Sequence, residues 1–136
     1  MNTTLTKPSF VNVLKTGLIA GVIALVANGI VYLLVGLAQP MTIPIGAVII
    51  NTVLGLLVGS LLYFVLSRFL GTRTNLVFTI ICVVFLVAYA YMPIYAMSQE
   101  PAPGMGTFNT ATVAATEVMH LISGGLAIVL LRRLMR

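Results

Sequence analysis

"IGAVIINTVLGLLVGSLLYFVL", Ile45 to Leu66, runs without a charge into "SRFLGTRTN", Ser67 to Asn75. At about 1.5 Å of rise per residue, the first stretch is long enough to cross a hydrocarbon core of ~30 Å as a helix. A helix is required there because lipid offers no partners to free backbone N–H and C=O groups. The second stretch carries Gly71, Arg68 and Arg73, the chemistry of a wetted turn. An apolar run of this length stopped by a basic turn predicts a membrane span.

Three further runs repeat the pattern. Apolar stretches lie at about 16–37, 45–66, 76–97 and 111–131. "AQPMTIP" separates the first two with Pro40 and Pro44, and "QEPAPGMG" separates the last two with Pro101, Pro103, Gly104 and Gly106. The expected fold is therefore all-α: an integral membrane four-helix bundle forming one domain over residues 1–136.

Composition agrees. The chain of 136 residues is 60% hydrophobic and 7% charged, against roughly 25% charged in a water-soluble domain. So few charges cannot wet the outside of a globule this size. The net charge of +5 forms no continuous basic face, which argues against nucleic acid as a partner. It reports orientation instead. Lys7 and Lys15 precede the first run, Arg68 and Arg73 flank the middle turn, and Arg132, Arg133 and Arg136 follow the last run. The other two connections hold no Lys or Arg, and Glu100 sits in the longer one. By the positive-inside rule both termini are expected in the cytoplasm of a multi-pass cell-membrane protein. The first run exceeds the ~7–15 residues of a signal-peptide core, so it is read as a retained span. A glycosylation pattern at Asn2 falls on the cytoplasmic side and is discounted. The lone Cys82 is read as a core filler.

Polar groups inside the runs are the candidates for function, because each is costly in hydrocarbon. At 100° per residue, Gly17, Gly21, Asn28 and Tyr32 share one face of the first helix. Asn51, Gly55 and Gly59 follow one another at steps of four in the second. Thr110, Glu117 and Gly124 recur at steps of seven in the fourth, with His120 beside them. Gly17, Gly21, Gly55, Gly59 and Gly124 are expected to be helix-packing positions. By helical rise, Asn51 and Glu117 lie roughly 10 Å below the outer ends of their helices, Asn28 about 13 Å and His120 about 5 Å below Glu117. One polar layer in the outer half is expected from His120, Glu117, Asn28, Asn51 and Tyr32, holding a proton, a cation or a small polar ligand. Tyr89, Tyr91 and Tyr95 sit near the same end, with Pro93 among them. Simpler roles stand beside these: hydrogen bonds between helices for Asn28 and Asn51, an interfacial belt for the tyrosines, and a neutral or proton-sharing lock for Glu117 and His120.

The spacing Glu117-x-x-His120 also matches half of a carboxylate-bridged di-iron motif. That motif needs a second such pair and two more carboxylates on facing helices, and no other acidic residue lies in a run. One His cannot supply both axial ligands of a haem. No metal or cofactor is expected, no catalytic residues are identified, and an enzyme is the least favoured class.

"NGIVYLLVG" (Asn28–Gly36), "LSRF" (Leu66–Phe69) and "MHLISGGLAIVLLRRL" (Met119–Leu134) resemble a bacterial family of small four-span membrane proteins of unknown function. The resemblance covers most of the chain. It falls on Asn28, Tyr32, Gly36, Met119, His120, Leu121, Arg132 and Arg133, and does not extend to Glu117. It implies a bacterial cell membrane and four helices, and carries no activity. Two functions are expected on these grounds. The first is a binding or accessory protein whose partners are the lipid bilayer and a second copy or another membrane protein. The second is a proton-coupled small-molecule transporter acting as a homodimer.

Overall fold

A computed structural model describes residues 8–100 and 106–134. Asn2, Lys7, Pro101, Pro103, Gly104 and Arg136, named above, lie outside the described residues. The described residues are helical, with no strand among them: α1 is Phe10–Ala38, α2 Ile45–Leu70, α3 Thr74–Ala96 and α4 Thr110–Leu126. A π-helical segment, Ala127–Leu131, and a closing turn, Arg132–Leu134, extend α4.

Caps set the ends of these elements. Ser9 Oγ accepts from Asn12 N at 3.2 Å to open α1, and Asn109 Oδ1 accepts from Thr112 N at 2.7 Å to open α4. Pro44 stands at the N-cap of α2. Gly71 has φ of 52°, a left-handed conformation that only glycine adopts freely, and it ends α2.

Three helical stretches are long and apolar enough to cross a membrane: Phe10–Ala38, Ile45–Ala96 and Thr110–Leu134. Four separate runs were expected. The count differs because a 3-10 turn, Gly71–Arg73, carries the chain from α2 into α3 with no open loop, so the middle stretch spans 52 residues. The chain nevertheless reverses there. Tyr63 on α2 and Phe78 on α3 stack edge to face at 5.2 Å, and the Tyr63 hydroxyl donates to Asn75 Oδ1 at 2.8 Å.

α1 packs on α2 and on α4, while α3 packs on α4 and less closely on α2. The α1–α2 approach depends on missing side chains. A Cβ at Gly21 would lie 3.5 Å from Val53 Cα, and one at Gly17 would overlap Ser60 Oγ. Two apolar clusters fill the interior. Val13, Ala20, Leu56, Tyr63, Phe78 and Leu131 belong to one, toward the Gly71 turn. Val48, Ala115 and Met119 form the other, toward the opposite end, with Val31 and Tyr32 against it. Outside, Leu33, Leu34, Leu54, Val58, Val84 and Val87 all stand exposed, a surface suited to lipid rather than water. α3 is the least embedded helix, with only Thr74, Phe78 and Pro93 buried.

Candidate functional site

Asn28 is 2% exposed, midway along the inner face of α1. Its Nδ2 donates to Thr52 Oγ1 on α2 at 3.0 Å and to Ser123 Oγ on α4 at 2.9 Å. One carboxamide thus ties three helices together. Its Oδ1 is buried without a partner.

Asn51 does not join this node. It is exposed, and the adjoining Thr52 points inward in its place. The buried face of α2 is Val48, Thr52, Leu56, Ser60, Tyr63 and Ser67. The expected face of Asn51 and Gly55 lies to one side of it. Gly55 has open space beside it, and only Gly59 of the two glycines meets a neighbour, Leu131 Cδ1 at 3.5 Å from a Cβ placed there. Sequence spacing grouped Asn51, Gly55 and Gly59 on one side of α2 but did not fix which angle turns inward.

Tyr32 has a positional task. Its hydroxyl donates to the Ile43 carbonyl at 3.0 Å. The same α1–α2 connection is tied to α4: Thr42 N and Thr42 Oγ1 reach Thr112 Oγ1 at 3.2 and 3.1 Å, and Asn109 Nδ2 donates to the Pro40 carbonyl at 3.2 Å. Thr112 is fully buried. This clamp closes the end of the α1–α2–α4 interface. Thr42, Thr112 and Ser123 were not among the expected site residues: Thr112 and Ser123 are hydroxyl side chains hidden in an apolar run, with no distinctive spacing, and Thr42 lies in the connection between two runs.

Glu117 and His120 turn elsewhere. The α4 face toward α1 and α2 is Thr112, Ala115 and Met119. Glu117, His120 and Gly124 centre roughly 140° around the helix from it, and His120 and Gly124 lie against α3. There the His120 ring meets the Tyr89 ring edge to face, with centroids 5.9 Å apart. A Cβ at Gly124 would lie 2.5 Å from Leu86 Cδ2, so the absent side chain admits Leu86. Both ionisable residues are half-buried. Glu117 Oε1 and His120 Nδ1 are buried and neither has a hydrogen-bond partner. The expected single polar layer is therefore two sites on two sides of α4: an Asn28–Thr52–Ser123 node bonded through Asn28 Nδ2, and a Glu117–His120 pair at the α3 seam that makes no side-chain hydrogen bond among the described residues. Tyr91 and Tyr95 stack at 5.9 Å on the exposed side of α3.

The opposite end is held differently. Arg68 reaches the Pro8 carbonyl at 3.2 Å and lies 4.6 Å over the Phe64 ring. Arg132 Nη1 donates to Thr79 Oγ1 at 3.4 Å. A cleft of about 250 Å³ lined by Asn12, Lys15, Thr16, Ile19 and Leu134 opens there, far from Glu117. Among the described residues, no three His, Cys, Asp or Glu side chains group to hold a metal ion.

No curated protein and no solved structure matches the chain. Residues 8–136 match a family described as a family of unknown function, DUF6069. That match takes in every described helix and both polar sites, and the chain belongs to this family.

Proposed function

We propose that this chain is an integral protein of a bacterial cell membrane, a four-helix bundle with both termini in the cytoplasm, that holds a proton or small polar ligand at Glu117 and His120 in a binding or accessory role. Four crossings are favoured over three by length. A straight helix of 52 residues would extend about 78 Å, more than twice a hydrocarbon core, and the Gly71 turn with its Tyr63–Phe78 contact folds it back. Orientation rests on the basic residues, all of which lie beside one set of connections. The bacterial setting rests on the resemblance of the Asn28–Gly36 and Met119–Leu134 stretches.

The observation that carries the site is the pair of buried atoms without partners, Glu117 Oε1 and His120 Nδ1. Each such group costs about 1–3 kcal/mol when left unsatisfied. Asn28 satisfies its Nδ2 through two bonds although its Oδ1 stays open, whereas neither Glu117 nor His120 makes a side-chain hydrogen bond among the described residues. Residues kept for a ligand hold their polar atoms open. Removing them then relieves the fold. Glu117→Gln and His120→Ala are therefore expected to leave the melting temperature in detergent unchanged or raised. A clear fall in both variants would assign the pair to structure and end this reading.

A second reading, proton-coupled small-molecule transport by a homodimer, is favoured by one feature. His120 abuts Tyr89 of α3, a helix with only three of its 23 residues buried, so a modest movement of α3 exposes the pair. Flux in proteoliposomes that Glu117→Gln abolishes would select transport. A stoichiometric partner with no flux would select the accessory role.

A further inference from the structure

We infer that the α3–α4 seam is a binding site for a protonated primary amine, an inference that rests on the proposed ligand-holding role of Glu117 and His120. Leu86, Tyr89 and Pro93 share one face of α3 at steps of three and four. Leu86 abuts Gly124 and Tyr89 abuts His120. Continuing this antiparallel register by one turn brings Pro93, the buried residue at this end of α3, level with Glu117. Proline has no N–H, so the Tyr89 carbonyl four residues earlier is released from the helix ladder. A helical carbonyl points toward the C-terminus, which sets this one at the height between His120 and Glu117, on the face turned to α4.

The register thus sets three lone-pair atoms at neighbouring heights along one seam: Glu117 Oε1, His120 Nδ1 in its Nε2–H tautomer, and the Tyr89 carbonyl. The first two have no donor of their own. The basic side chains of the described residues, Lys15, Arg68, Arg73, Arg132 and Arg133, all belong to the other end of the helices. No basic side chain therefore stands at the site, and no donor reaches these two atoms. A primary ammonium supplies three N–H donors and one charge in a small volume. A bare alkali cation prefers a fuller set of oxygen ligands, as hard cations do, and only two of these atoms are oxygen. A quaternary ammonium has the charge but no N–H. The Tyr89 ring adds an aromatic surface beside the charge. The amine has two sources, a free small molecule or the ethanolamine headgroup of a phospholipid.

The test is titration of the full chain in nanodiscs of phosphatidylglycerol and phosphatidylcholine with methylammonium, tetramethylammonium or sodium, read by calorimetry. Methylammonium is expected to bind at least tenfold more tightly than either control in the wild type, a comparison that needs no variant. Glu117→Gln is expected to weaken it tenfold or more. Pro93→Ala, which restores the N–H that occupies the Tyr89 carbonyl, is expected to weaken it threefold or more, with tetramethylammonium binding unchanged. Adding phosphatidylethanolamine to the discs and seeing methylammonium displaced would identify the lipid as source. No displacement would identify a free amine. Methylammonium binding no better than tetramethylammonium, or untouched by Pro93→Ala, overturns the inference. If that happens while Glu117→Gln and His120→Ala still melt no lower than wild type, the amine class falls and the broader ligand-site reading stands.

Discussion

The Asn28 carboxamide on α1 donates to the Ser123 hydroxyl on α4 at 2.9 Å, across a sequence separation of 95 residues. With its second hydrogen on Thr52 of α2, it is the point where three helices are fixed in depth relative to one another. Bonds of this kind between membrane helices contribute about 0.6–1.7 kcal/mol each. Asn28→Ala removes two and leaves a small void, so a loss of about 2 kcal/mol is expected in reversible unfolding from mild detergent. An unchanged unfolding midpoint would show that the helices hold their depth without this node.

Gly124 and Gly55 make opposite predictions. Gly124→Val drives a branched side chain into Leu86 and should loosen α3 from α4, costing about 1–3 kcal/mol. Gly55→Ala meets open space and should be neutral or add up to about 1 kcal/mol from helix propensity. The check is a side-by-side thermal melt. Equal losses at both sites would mean that Gly55 also faces a packed neighbour.

Thr112→Val keeps the shape of a fully buried side chain and removes the oxygen that receives Thr42 N and meets Thr42 Oγ1. A loss of about 1–3 kcal/mol is expected, because the Thr42 N–H is left without its acceptor. Hydrogen exchange at the Thr42 amide should accelerate. Protection there equal to wild type would mean that the clamp is redundant.

Orientation is tested by chemistry from one side. In a Cys82→Ala background, Glu100→Cys should react with an impermeant maleimide applied to intact cells. Thr72→Cys, in the basic turn, should react only after the membrane is opened. The reverse pattern would invert the proposed topology and place Glu117 nearer the cytoplasm.

Tyr63→Phe tests the reversal at Gly71. It keeps the ring contact with Phe78 and removes the hydrogen bond to Asn75. The expected cost is about 1 kcal/mol, read as a lower midpoint with no change in helix content. A loss of helix signal would mean that the bond holds α3 in its helical state.

The sequence by itself determined what each stretch must be. Runs too apolar for water and too long for a soluble core, broken by proline, glycine and arginine, admit only helices. Period 3.6 groups Gly17, Gly21 and Asn28 on one side of α1, and Glu117, His120 and Gly124 on one side of α4, because that depends on a single helix. Tertiary structure alone decided which way each helix turns. Thr52 rather than Asn51 faces Asn28, since the rotation of α2 follows from Gly17 and Gly21 lying against Ser60 and Val53. Glu117 and His120 face α3 because Thr112, Ala115 and Met119 already occupy the side toward α1 and α2. The π-helical segment at Ala127–Leu131 rephases the end of α4, so that Leu131 is fully buried and Arg132 reaches Thr79. Periodicity fixes angles within one helix, whereas the angle between helices is set by which side chains fit against each other.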